Sequence, residues 1–138
     1  MEIKQISVFF ENKPGRLGEV TKVLSDAKIN LRAISIADTA DFGILRLIVD
    51  NHDKAVEALK ASGFTSRTTD VAAVEIEDKP GSLAEVMDIF KIANVNIEYL
   101  YASLEGNQGK AVVIFKLENH EKGLDLIKKN NLSMVDSF

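Results

Sequence analysis

ENKPGRLGEV, Glu11 to Val20, and EDKPGSLAEV, Glu77 to Val86, are one phrase written twice. Pro14 aligns with Pro80, an offset of 80 − 14 = 66, and Leu17, Glu19, Ala27 and Asn30 meet Leu83, Glu85, Ala93 and Asn96 at the same offset. Further on, Asn51-His52-Asp53-Lys54 returns as Asn119-His120-Glu121-Lys122, now at 119 − 51 = 68, so the second copy carries two extra residues between Asn96 and Asn119. A period this long exceeds that of a solenoid unit, and each copy reads as a small domain. Both prolines of the chain and two of its eight glycines lie in the repeated Lys-Pro-Gly.

Upstream of that turn, Glu2 to Phe10 alternates with Ile6, Val8 and Phe10 on one face, a strand pattern. Pro lacks an N–H and Gly tolerates φ > 0, so the strand stops at Lys-Pro-Gly. Downstream, Leu17, Val20, Val23, Leu24 and Ala27 recur at helical spacing. Ile29 to Ala37 reads as a strand, Thr39-Ala40-Asp41 as a turn, and Phe42 to Val49 as a third strand. Asn51 is a good N-cap for a second helix, and Gly63 fits the position just past its end. Phe64 to Asp70 closes the copy as a weaker strand. The second copy repeats the order: strand Val71 to Glu77, a helix with Leu83, Val86, Met87, Phe90 and Ala93 inward, strand Val95 to Leu104, and a loop at 105–109 that absorbs the two extra residues. Strand Lys110 to Leu117, helix Asn119 to Lys129 and a closing segment Leu132 to Ser137 complete it. The class is α+β: two tandem ferredoxin-like β-α-β-β-α-β domains with antiparallel sheets, 1–70 and 71–138. With no linker between Phe64 and Val71, the two copies are expected to pack rigidly.

Ala111 to Phe115 is apolar without alternation, as expected of a strand covered on both faces. Two helices cover one face of a ferredoxin-like sheet, so the other needs the second copy or another subunit. A homodimer is the resulting expectation.

Composition removes several classes of function. The chain has 138 residues, a formal net charge of −4 and no long run of Lys and Arg, which disfavours a nucleic-acid surface. The absence of Cys excludes disulfides, thiolate metal sites and a Cys nucleophile. MEIKQISVFF has neither the basic start nor the long apolar core of a signal peptide, and no stretch approaches the ~18 apolar residues of a membrane span. The expectation is a cytoplasmic protein without membrane partners.

A strand, then Glu-(Asn/Asp)-Lys-Pro-Gly-x-Leu, a helix, and an Asn opening the next strand: this pattern resembles the ACT domain. The resemblance covers essentially the whole chain, as two tandem copies with no catalytic or DNA-binding domain attached. It implies a regulatory module that binds a free amino acid or related metabolite, with a biosynthetic enzyme as partner. It also implies that the residue two before the Pro (Asn12, Asp78) and the Asn of the second strand (Asn30, Asn96) line the site. The full candidate set is Asn12, Lys13, Pro14, Gly15, Arg16, Leu17 and Asn30 in the first copy, and Asp78, Lys79, Pro80, Gly81, Ser82, Leu83 and Asn96 in the second.

The chemistry at the turn agrees. A Gly without Cβ lets backbone approach a ligand, and a following helix N-terminus favours a carboxylate. Asn and Asp accept hydrogen bonds from an ammonium, Asp78 with charge and Asn12 without, so the two copies need not bind equally. No metal, cofactor or catalytic residue is called. His52 and His120 read as surface residues at helix starts, Glu19 and Glu85 as a solvated face, and Tyr99 and Tyr101 as sheet packing. No nucleophile, base and orienting group stand at useful spacing, so the chain is read as not an enzyme. The alternatives are an assembly subunit that senses nothing and, last, a small enzyme of acylphosphatase type, which would use Arg16 in an anion loop but finds Ser82 at the second turn.

Overall fold

A computed structural model describes residues 3–38, 41–104 and 106–138. The elements run β1 (Ile3–Glu11), α1 (Arg16–Asp26), β2 (Leu31–Asp38), β3 (Phe42–Val49), α2 (His52–Ala61), β4 (Thr65–Glu77), α3 (Ser82–Ile92), β5 (Ile97–Ala102), β6 (Lys110–Leu117), α4 (His120–Lys129) and β7 (Ser133–Val135). The chain divides into two compact units, residues 4–69 and 70–137, the second also taking Ile3 and the first Phe138. Strand order is β2-β3-β1-β4 in the first unit and β5-β6-β4 in the second, with β7 also on β4. This is the α+β, ferredoxin-like arrangement twice over.

Each unit buries the face its periodicity marks. In the first, Ile6, Val8 and Phe10 of β1 stand opposite Leu47, Leu45 and Gly43 of β3. They close with Val20 and Leu24 of α1 and Ala55 and Leu59 of α2 into one core. In the second, Val74 and Val113 are partners, as are Ala72 and Phe115. Val86 and Phe90 of α3 and Ile127 of α4 lie over them. The Phe90 and Phe115 rings meet at 5.6 Å, tilted by 45°. Each such side chain contributes roughly 1.5–3 kcal/mol over leaving it in water.

The copies trade volume at matched positions. Where the first pairs Phe10 with Gly43, the second pairs Ile76 with Ala111. A Cβ on Gly43 would run into the Phe10 ring.

Three expectations change. The two strands read as Phe64–Asp70 and Val71–Glu77 are one continuous thirteen-residue strand, β4, which crosses the boundary between the units. The strand read as 29–37 begins only at Leu31, because Ile29 and Asn30 belong to the helix-ending turn, and that read as 95–104 shortens to Ile97–Ala102. Val112 and Ile114, which face away from the core containing Val113 and Phe115, are 6% and 0% exposed within one chain. β6 therefore needs no second chain to cover it, and the dimer expectation loses that ground. The turn expected at 39–41 lies partly outside the described residues, as does the 105–109 loop at Glu105.

All four helices end alike. An N–H three residues past the helix reaches back to a carbonyl, Ile29 to Leu24 at 2.9 Å and Phe64 to Leu59 at 3.0 Å, with Val95 to Phe90 and Leu132 to Ile127 in the second unit. Among the described residues no helix is long and apolar enough to cross a membrane.

Candidate functional site

The Lys-Pro-Gly turns are built identically. Gly15 has φ 88° and ψ −19°, Gly81 φ 91° and ψ −16°, both left-handed. A Cβ at either position would meet nothing within 4 Å, so backbone conformation, not crowding, demands glycine. The Lys13 N–H donates to the Glu11 carbonyl at 2.9 Å, and that of Lys79 to Glu77 at 3.0 Å. The Arg16 N–H reaches the Lys13 carbonyl at 3.3 Å, and that of Ser82 reaches Lys79 at 3.4 Å. Then α1 and α3 start, neither capped by a side chain.

The hairpin connecting the middle strands pins each turn. The Asn12 N–H donates to the Asp41 carbonyl at 2.9 Å, and the Asp78 N–H to that of Gly109 at 3.0 Å. The offsets are 78 − 12 = 66 on one side and 109 − 41 = 68 on the other, so the two-residue insertion precedes Gly109. Sequence reading missed Asp41 and Gly109, since they act through backbone carbonyls.

Charge frames the turns from below. Lys13 pairs with Glu11 and Lys79 with Glu77, each at 2.8 Å. Hydrogen bonding and attraction from those lysines hold both glutamates below the usual carboxylate range, and Glu77 raises Lys79 in return. The pairs are exposed, so water screens them. A depressed carboxylate stabilises above its unfolded pKa, and that contribution fades as pH falls through its lowered one. The side chains of Asn12, Pro14, Asp78 and Pro80 are exposed around the open face.

Four candidates have other work. Leu17 and Leu83 pack against their unit's core, and Ser82 is buried. Arg16 does not lean over the turn: its Nη1 donates to Glu19 Oε2 at 2.6 Å, and its guanidinium lies 5.4 Å from the centre of the Phe64 ring. Glu19 is thus a partner of Arg16 rather than a bare solvated residue.

Asn30 and Asn96 sit at the other end of α1 and α3. Eleven helical residues separate them from the turns, roughly 16 Å of rise. The Asn30 N–H donates to Asp50 Oδ1 at 3.0 Å, and its carbonyl accepts from the Asp50 N–H at 3.1 Å. The Asn96 carbonyl accepts from the Glu118 N–H at 3.0 Å. Asn30 borders a cleft of about 400 Å³ with Leu24 and Lys28, and Asn96 one of about 610 Å³ with Glu118, His120 and Lys122. Within a unit, therefore, the turn residues are together and the Asn is apart.

Asn51 and Asn119 cap α2 and α4, accepting from the N–H groups of Lys54 at 3.2 Å and Lys122 at 3.1 Å. His52 is not the plain surface residue expected: its side chain is 26% exposed and its Nε2 lies 3.0 Å from Thr68 Oγ1 on β4. Tyr101 packs opposite Ile114 and is buried. Among the described residues no three His, Asp or Glu side chains cluster to hold a metal ion.

Two ferredoxin-like units, each with an uncapped helix behind a left-handed Pro-Gly turn, define a tandem ACT-type protein. The chain belongs to the ACT domain pair family, which it matches over residues 1–137. It is 42% identical to a Bacteroides thetaiotaomicron protein of known crystal structure, with a TM-score of 0.92, covering 98% of this chain and 92% of that one. The ligand-free regulatory subunit of aspartate kinase from Thermus thermophilus shares the fold at 20% identity, with a TM-score of 0.69 and 94% and 93% of the chains covered. That of Thermus flavus does so at 19% identity, with a TM-score of 0.61 and 94% and 92% covered. A search of curated proteins returned no match.

Proposed function

We propose that this chain is a non-catalytic, cytoplasmic regulatory protein whose Lys-Pro-Gly turns bind a free amino acid or a closely related metabolite. Each domain, 1–70 and 71–138, holds one turn, and ligand occupancy acts allosterically on a partner enzyme of amino-acid metabolism. One observation carries the reading: in both copies the first turn of an uncapped helix opens onto space that even a Cβ would leave unfilled. Such a helix start receives a carboxylate. The ammonium then meets Asn12 at one turn and Asp78 at the other. Lys13 and Lys79 are held aside by Glu11 and Glu77, leaving the helix start as the anion donor. The use of this fold as a regulatory subunit of aspartate kinase supports the choice of partner class.

Because a charge-assisted hydrogen bond is worth about 1.5–3 kcal/mol against about 1 for a neutral one, the second turn binds roughly tenfold more tightly. Thermal shift against the twenty common amino acids tests the reading, since a ligand at ~100 times its dissociation constant adds about 2.7 kcal/mol. One amino acid is expected to raise the melting temperature, and calorimetry is expected to show Asp78→Ala weakening the tighter site and Asn12→Ala the other. No shift with any amino acid, or affinities unchanged in both variants, overturns it.

A further inference from the structure

Lys28, two residues past α1, holds φ 62° where the other three helices place Gly63, Asn94 and Asn131. A lysine is strained in the left-handed region, and strain kept at one position points to a use for its side chain. Neutralising the negative end of the helix is not that use. α2, α3 and α4 carry cations within their last turn, at Lys60, Lys91 and Lys128, and leave Gly or Asn at the left-handed position. The second copy shows the unstrained solution at matched positions: Lys91 stands where the first copy has Ser25, and Asn94 where it has Lys28 (91 − 66, 94 − 66). The first copy puts the hydroxyl in the helix and the ammonium at the strained position.

That exchange lines a cleft. Lys28 borders about 400 Å³ of space with Thr21, Ser25 and Asn30, and with Leu24 and Ile29 as apolar lining. Met87 replaces Thr21 in the second copy (87 − 66), so both hydroxyls belong to the first alone. None of the described lining residues is a carboxylate. Two carboxylates nearby are engaged, Asp26 with Lys22 at 3.4 Å and Asp50 with the Asn30 N–H at 3.0 Å. An ammonium with no carboxylate beside it in the cleft attracts an anion and repels a second ammonium. Thr21 Oγ1 donates to the Gly18 carbonyl at 3.0 Å, which leaves it as an acceptor, while the Ser25 hydroxyl is a donor. Together they match a ligand hydroxyl, which both donates and accepts.

We infer that this cleft of the first unit binds a small 2-hydroxy acid: its carboxylate on Lys28, its hydroxyl between Thr21 and Ser25, its carbon chain on Leu24 and Ile29. The site is separate from the Lys-Pro-Gly turns and stands whether or not they bind an amino acid. Amide chemical-shift titration by NMR with 2-hydroxyisovalerate and with isovalerate tests it. The hydroxy acid is expected to move the amides of residues 21–31 saturably and to bind roughly threefold to tenfold more tightly than isovalerate, the effect of one hydrogen bond. Valine, with an ammonium in place of the hydroxyl, is expected to leave those amides unmoved. Thr21→Val is expected to erase the preference for the hydroxy acid and keep the affinity for isovalerate. Lys28→Gly, which relieves the strain, is expected to weaken both acids roughly tenfold or more in a chain that still folds, and Lys28→Arg to retain them. Residues 21–31 unmoved by the hydroxy acid overturn the inference, as does a Lys28→Gly variant that binds it like wild type. Equal affinity of the wild-type chain for the two acids overturns the assignment of the ligand class.

Discussion

Four left-handed residues end the four helices, and their identities differ: Gly63, Asn94 and Asn131 suit the conformation, while Lys28, at φ 62°, does not. A non-glycine side chain in the left-handed region costs about 1–2 kcal/mol. Lys28→Gly is therefore expected to raise stability by about 1 kcal/mol in denaturant unfolding, with no change in slope; the Lys28 side chain is exposed. The opposite experiment applies at the turns. Gly15→Ala and Gly81→Ala place a methyl in open space yet force the same conformation, so each is expected to cost about 1–2 kcal/mol. Equal losses identify the backbone as the reason for the glycines. A silent substitution would assign them to close approach of a ligand instead.

Between elements, the copies reach the same packing by different side chains. Gly123 of α4 lies over Leu117 of β6, and a Cβ added there would collide with the Leu117 Cδ1 methyl. In the first copy the corresponding residues are Ala55 and Val49 (123 − 68, 117 − 68), the helix one carbon larger and the strand one smaller. Gly123→Ala should then cost stability although Ala is the better helix former by about 1 kcal/mol, because overpacking costs about 1–3. Leu117→Val alone opens a gap worth about 1 kcal/mol. Together they recreate the first copy's pair, so a double-mutant cycle is expected to show favourable coupling of about 1–2 kcal/mol. Additive losses would mean that the two residues do not share one space.

At the scale of the whole chain, the fold was legible because duplication made each local reading appear twice. Alternation before Lys-Pro-Gly and helical spacing after it recurred at one offset, and a two-residue slip located the hairpin insertion. What escaped were facts that no single residue type encodes. The union of two strands into β4 leaves no mark in composition, and pinning by Asp41 and Gly109 works through backbone carbonyls. In the candidate site, the turn glycines and Asn caps were legible from residue type, whereas Arg16 turned toward Glu19 and Phe64, which only tertiary structure shows. Asn30 and Asn96 were grouped with the turns by family pattern, although a full helix length separates them within each unit. The run Ala111 to Phe115 was correctly suspected of two-sided burial, but the inference from it to a second subunit does not hold, because Ile114 and Phe115 are both 0% exposed in one chain. Ile114→Ala is therefore expected to cost about 2–5 kcal/mol and Phe115→Ala about 3–5, as for any filled core site. Since the burial is complete without a partner, the Ile114→Ala loss should be the same at low and high protein concentration. A loss below about 1 kcal/mol, or one that appears only at concentrations where the chain associates, would return the second face of β6 to an intersubunit role.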